Sequence, residues 1–268
     1  MSFSGPKHYR EESAKSLKDR PSVRTSVTSA TDTFNANRSE AYSQINSDLW
    51  KDWARDVKSH ALTNLDQYLE QAETQLLANG AKVHWAETAH DALGLLEEIV
   101  RDHEISTAVK AKSMLSEELG INEHLEHLGV HVRETDLGEY IIQLIGEPPS
   151  HIVGPAIHRS LEDCQRLFHE KFGTPLDDGP DALAATAREA LREEFLAADL
   201  GISGGNFLVA ETGTVALIEN EGNIRLSTSL PRVHIALVGI EKIVPRLEDV
   251  SGFVQLTSRA ATGQPIGN

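Results

Sequence analysis

The chain has 268 residues, with 41 acidic and 25 basic side chains and a formal net charge of −16. At ~100–200 residues per domain this is one large domain, or one domain with a helical extension, and the 40% share of apolar residues is that of a globular chain. The acidic balance argues against nucleic acid or an anionic membrane as the main partner. The longest fully apolar runs, such as Ile235–Val238, fall far below the ~18 residues of a membrane span. Met1–Arg10 lacks the apolar core of an export signal, so a cytoplasmic location is expected. Cys164 is the single cysteine. That excludes an internal disulfide, a Cys-rich zinc site and an iron–sulfur cluster held by this chain's own thiolates.

Residues 1–48 read as a polar extension with helices, because Val23, Val27, Ala30 and Phe34 follow helical spacing after Pro21. Residues 49–268 form the main domain. It opens with an apolar stripe of Trp50, Trp53, Val57, Leu62, Leu65, Leu69, Ala72 and Leu76, stopped at Asn79-Gly80. At this spacing the tryptophans read as packing. Strands and helices then alternate. Lys82–Trp85 is predicted as a strand, Thr88–Asp102 as a helix, Thr107–Lys110 as a strand and Ser113–Leu128 as a helix. Val130–Arg133 follows as a strand and Asp136–Ile145 as a helix, with Asp136 and Glu139 spaced as a capping box. His151–Val153 is predicted as a fourth strand and Ser160–Phe172 as a helix closed by Gly173, before one more helix over 181–199. Such alternation implies an α/β fold with a mainly parallel sheet covered on both faces.

The later part reads as antiparallel-leaning β structure. Phe207–Ala210, Thr214–Glu219, Ile224–Thr228 and Val233–Val238 are predicted strands, with Asn220–Asn223 as a hairpin turn and Pro231 as a break. No closing helix or strand is read after them, and a larger parent protein is expected.

In an open parallel sheet, ligands gather outside the carboxyl ends of the strands. Lys110, Lys112 and Ser113 follow a strand and lead into a helix, where ammonium groups and free N–H groups suit a carboxylate or phosphate; a solvated lysine pair with a serine N-cap is the alternative. Arg133-Glu134-Thr135-Asp136 is explained by helix capping. His158 follows the fourth strand as a candidate proton carrier or a solvated loop histidine. Glu211, Thr212 and Thr214 lie between two strands, where the carboxylate could be a nucleophile or base, or simply a turn in water. Gly201–Asn206 precedes a strand and lacks the setting of a nucleotide cradle. His124 and His127 lack a third ligand nearby in sequence, so no metal site is expected. Cys164, between Leu161 and Phe168 on a helix, reads as a small core residue.

Several ordered blocks carry a resemblance. Lys110–Asn122, Glu134–Leu144 and Pro148–His158 are similar to the LUD domain of lactate-utilization iron–sulfur proteins of the B type. So are Gly201–Asn206, Ala210–Thr214, Glu219–Asn223 and Leu230–His234, and the likeness runs over about residues 40–266. The resemblance implies a fold like that of sugar-phosphate isomerases and CoA transferases, and a role in a multi-subunit system oxidising L-lactate to pyruvate. It further implies [4Fe–4S] clusters in a full-length parent, none in this chain, and other lactate-utilization subunits as partners.

The resulting expectation is an anion pocket for lactate, pyruvate or a CoA-like molecule, with Lys110, Lys112 and Ser113 on one side and Glu211, Thr212 and Thr214 approaching from the β half. Two other functions stand beside it. One is a stand-alone isomerase or acyl-transferase using Glu211 as the catalytic residue. The other is a non-catalytic module that docks partner subunits.

Overall fold

A computed structural model describes residues 14, 18, 21–147 and 154–264. The predicted strand His151–Val153 lies outside the described residues. The described chain opens with three helices: α1 (Pro21–Ser43), α2 (Ser47–Thr63) and α3 (Leu65–Ala78). Next come α4 (Ala89–Asp102), β1 (Thr107–Lys110), the short helices α5 (Met114–Glu118) and α6 (Ile121–His127), and β2 (His131–Glu134). The helices α7 (Leu137–Ile145), α8 (Leu161–Phe172) and α9 (Pro180–Ala197) lead to β3 (Leu200–Ser203). The remainder holds β4 (Phe207–Val209), β5 (Thr214–Ala216), α10 (Asn223–Ser229), β6 (Val233–Ala236), β7 (Ile243–Val244) and α11 (Leu247–Ala261).

The expected α/β class holds. Among the described residues, four strands form a parallel sheet in the order β2-β1-β3-β6. One face carries Ala108, Val132, Leu200 and Ile202 beneath Leu96 and Val100 of α4 and Ile121 and Leu125 of α6. The other face sets Val109 against Tyr140, Phe168, Leu183 and Phe195 of α7, α8 and α9. At ~25 cal/mol per Å² of apolar surface, burying a large aliphatic or aromatic side chain of this kind contributes about 1.5–3 kcal/mol. Caps set the helix ends: Ser160 and Asp163 form a reciprocal capping box on α8, and Gly173 closes it in the left-handed region at φ 72°.

A second, smaller sheet in the order β5-β4-β7 pairs β4 antiparallel with β5 and parallel with β7. It lies on the N-terminal helices. Ala61 and Ala72 pack with Ala210 and Ile243, while Trp53 and Val57 pack with Val209, Val244 and Phe253.

Several predicted elements are corrected. Residues 224–228 belong to helix α10, not to a strand, since Gly222 at φ 77° turns the chain into a helix and Glu219 accepts the Arg225 N–H at 2.9 Å. The Asn220–Asn223 turn is therefore a helix start, not a hairpin. Lys82–Trp85 forms no strand and joins neither sheet among the described residues. Helix α11 does follow the last strand, and the helix read over 113–128 is broken at Gly120, φ 67°. The β-rich part does not extend one sheet: β3 and β6 join the parallel sheet, whereas β4, β5 and β7 form their own.

Candidate functional site

The strand order reverses between β1 and β3, and in open α/β sheets ligand crevices lie at such a switch, beyond the strand carboxyl ends. The loops that leave these strands touch there. A Cβ on Gly204 would sit 3.0 Å from the Ser113 hydroxyl, so glycine lets the two loops meet. Ser113 itself N-caps α5, accepting the Ser116 N–H at 3.4 Å.

Lys110 ends β1 on the same face as Ala108, and it is fully buried. It does not reach a ligand cleft. Its ammonium donates to Glu117 Oε1 at 2.8 Å and Ser116 Oγ at 3.1 Å, and pairs with Glu134 Oε1 at 2.9 Å. Burial opposes its charge, but Glu134 and Glu117 outweigh it and raise its pKa above the ordinary lysine value. The Asn122 amide also donates to Glu134 Oε1 at 2.6 Å. Glu139 reaches this cluster from the first turn of α7, and burial, followed by the Glu134 carboxyl, pushes its pKa up to about 9. Oxygen atoms of Glu117, Glu134 and Glu139 lie within 4.8 Å of one another, and the cation among them is the Lys110 ammonium.

Lys112, two residues on, faces a groove of about 340 Å³ at the carboxyl rim of the parallel sheet. The groove is lined by Ala30 and Phe34 of α1, Leu137 and Ile141 of α7, Pro155, and Glu221 among others. The Lys112 ammonium pairs with Asp136 Oδ2 at 2.7 Å. Asp136 caps α7 by accepting the N–H groups of Gly138 at 3.0 Å and Glu139 at 3.2 Å. Glu221 accepts the Leu137 N–H at 3.1 Å, and burial, then Asp136, raise its pKa. The positive end of α7 is thus met by two of the protein's own carboxylates. The proposed return bond of a capping box does not form, because Glu139 turns instead toward Lys110.

Glu211, Thr212 and Thr214 stand elsewhere. Glu211 accepts the Leu247 N–H at 2.9 Å, capping α11, and lines a separate groove of about 570 Å³ with His60, Tyr68 and Arg246. Thr212 Oγ1 donates to Thr214 Oγ1 at 2.8 Å, and the Thr212 carbonyl accepts from Asn79 at 2.9 Å. The six expected residues therefore divide among a buried cluster, a rim groove and a turn beside α3. His158 contacts Glu147 at 3.1 Å. His127 contacts the Glu123 carbonyl at 2.6 Å, and neither His124 nor His127 joins an acidic or histidine cluster among the described residues. Burial pushes the half-buried Cys164 thiol up, and one thiolate is short of the four that a [4Fe–4S] cluster takes. Reading the sequence missed Glu117, Glu139 and Glu221 as partners of the lysines. Glu134 was missed as a partner of Lys110 as well, and Glu139 was legible only as a capping candidate together with Asp136.

A parallel α/β sheet with a charged groove at its carboxyl rim defines the class of protein. The chain belongs to the LUD domain family, whose sequence model matches residues 69–266. It is 41% identical over 261 residues to lactate utilization protein B of Oceanobacillus iheyensis, covering 96% of this chain and 54% of that one. It is 42% identical to lactate utilization protein B of Shouchella clausii, covering 91% and 52%. It is also 41% identical to an uncharacterized electron transport protein, YkgF, of Escherichia coli, covering 91% and 51%. The chain thus spans about half the length of these curated relatives. No solved structure matches it. No described helix is long and apolar enough to cross a membrane.

Proposed function

We propose that the chain is the LUD component of a cytoplasmic iron–sulfur system that oxidises L-lactate to pyruvate, and that its rim groove takes a small carboxylate metabolite. The observation that carries the role is the likeness to proteins named lactate utilization protein B over nearly the whole chain. The groove supports the ligand class. Lys112 supplies a cation, and the first N–H groups of α7 supply donors that a carboxylate can accept. A ligand carboxylate arriving there competes with Glu221 for the Leu137 N–H, while Asp136 keeps α7 capped. Phe34, Ile141 and Pro155 give the groove an apolar wall beside these polar groups. The [4Fe–4S] clusters would carry electrons away from lactate. Their thiolates would come from polypeptide other than this sequence, since Cys164 stands alone.

Calorimetric titration of the chain with lactate, pyruvate and coenzyme A tests the groove. Binding of one of them should weaken about tenfold or more in Lys112→Ala, as loss of a charge-assisted contact of ~1.5–3 kcal/mol implies. No heat from any of the three, or equal affinity in the variant, refutes the groove as the ligand site. The component role is read separately, by co-purification of the other lactate-utilization subunits.

A further inference from the structure

Beneath the groove lie three carboxyl groups and one ammonium: Glu117 of α5, Glu134 of β2, Glu139 of α7 and Lys110 of β1. Fully ionised, the four would hold a surplus of two negative charges. Glu134 is only 4% exposed and Glu139 6%. A surplus of that kind in a buried place is relieved by retaining a proton. Geometry says where it sits. Lys110 pairs with Glu117 and Glu134, while Glu139, whose buried Oε2 has no hydrogen-bond partner among the described residues, lies with them in a cluster of carboxyl oxygens within 4.8 Å of one another, so Glu139 is the acid left to carry the proton. Among the described residues the charged groups that act most on Glu139 are Glu134 of β2, Lys110 of β1 and Glu117 of α5; α6 contributes the neutral Asn122 amide to Glu134.

The four groups also stand at the root of the rim. Lys110 is two residues before Lys112, and Glu134 is two before Asp136. The next residue after Glu134, Thr135, donates both its N–H and its hydroxyl to the Lys110 carbonyl at 3.0 Å. We infer that this quartet is a proton-held clamp: the folded protein keeps one proton on Glu139, beside Glu134, and giving it up to solvent loosens the rim that carries Lys112 and Asp136. The repulsion set free acts across the seam between the ends of β1 and β2, where both groove residues begin. The device stands whether or not the groove takes a carboxylate.

The test follows the amide signals of Lys112 and Thr135 by NMR from about pH 6 to about pH 10, with urea unfolding over the same range. The Glu139 pKa of about 9 is raised above the usual 4.5, so the folded state binds one proton more than the unfolded state between those values. That stabilisation is complete below the unfolded pKa and is lost as pH rises through the folded one. Glu139→Gln imitates the protonated acid. Its unfolding constant should stay flat where that of the unaltered chain grows about tenfold per pH unit. Both amides should move together near pH 9 in the unaltered chain and stay still in the variant. Parallel pH profiles for the two proteins would overturn the inference. So would tight binding of Mg²⁺ or Mn²⁺ to the unaltered chain that abolishes its pH dependence, since a metal would then hold the proton's place. Should Glu139→Gln fail to fold, the unaltered chain still decides: unfolding it in guanidinium near neutral pH should release one proton from Glu139, and release of none refutes the clamp.

Discussion

Replacing Lys110 with methionine keeps most of the side-chain volume and removes only the charge. In the intact protein the ammonium, at 0% exposure, meets Glu117 at 2.8 Å and Glu134 at 2.9 Å. Opposite charges ~4 Å apart attract by about 4 kcal/mol at an effective dielectric of ~20, and two such pairs are offset by the cost of dehydrating Lys110. What the variant suffers is the stranding of acids already buried, for which loss of one partner costs about 3–5 kcal/mol. Glu134 would lose its cation and keep the Asn122 amide, and its Oε2 has no hydrogen-bond partner among the described residues. Against a usual total of ~5–15 kcal/mol the loss is large. Urea unfolding followed by circular dichroism at pH 7 should show the midpoint falling sharply at constant m. At pH 5 the stranded acids take up protons, so the gap between variant and parent should narrow. A loss below about 1 kcal/mol at pH 7, or a gap that widens in acid, would refute the reasoning.

Asp199, at the opposite rim, accepts the N–H groups of Ser106 at 3.0 Å and Thr107 at 3.2 Å, and these bonds, Ser106 first, hold its pKa down to about 2. Its stabilisation is present above the usual 3.8 and lost as pH falls through the folded value, so Asp199→Asn should cost about 1–2 kcal/mol at pH 7 and little near pH 2, read by thermal melts at each pH. Gly213 has φ 61°, and a Cβ there would lie 2.6 Å from the Leu76 backbone nitrogen. Gly213→Ala should therefore lower stability by about 2–3 kcal/mol in calorimetry, and a change within about 0.5 kcal/mol would contradict the close approach of this turn to α3.

Much of the parallel half was legible because its signals are local. Leu93, Leu96 and Val100 mark one helical face, and Ser160, Asp163 and Gly173 mark both ends of α8. Where long-range contact decides, pattern reading failed. Ile224–Thr228 alternates like a strand, yet it is a helix lying on Gly201, where a Cβ would come within 1.8 Å of the Ser227 carbonyl. Val250 and Phe253 do carry helical spacing that was available for α11. The site divides for the same reason. Lys110 and Lys112 look alike in sequence, but Lys110 still belongs to the strand, on the inward face with Ala108, while Lys112 has left it. Its acidic partners come from three separate elements, and no spacing rule joins residues 110, 117, 134 and 139. Asp136 was legible as a cap because that bond spans only three residues.

The aromatic junction of Trp53, Phe253 and Phe207, with ring centroids 5.1 and 5.2 Å apart in turn, joins early and late parts of the chain. On the ribosome, α2 and α3 emerge long before their partners. Until residues beyond 250 have been made, Trp53 and Val57 lack Phe253 and can close only against Val209 and Val244. Such distant pairings are slow to form and leave greasy surface open to aggregation during synthesis. Nascent chains shortened before α11 should accordingly lean on chaperones, while the strands of the larger sheet can already pair once β6 has been made.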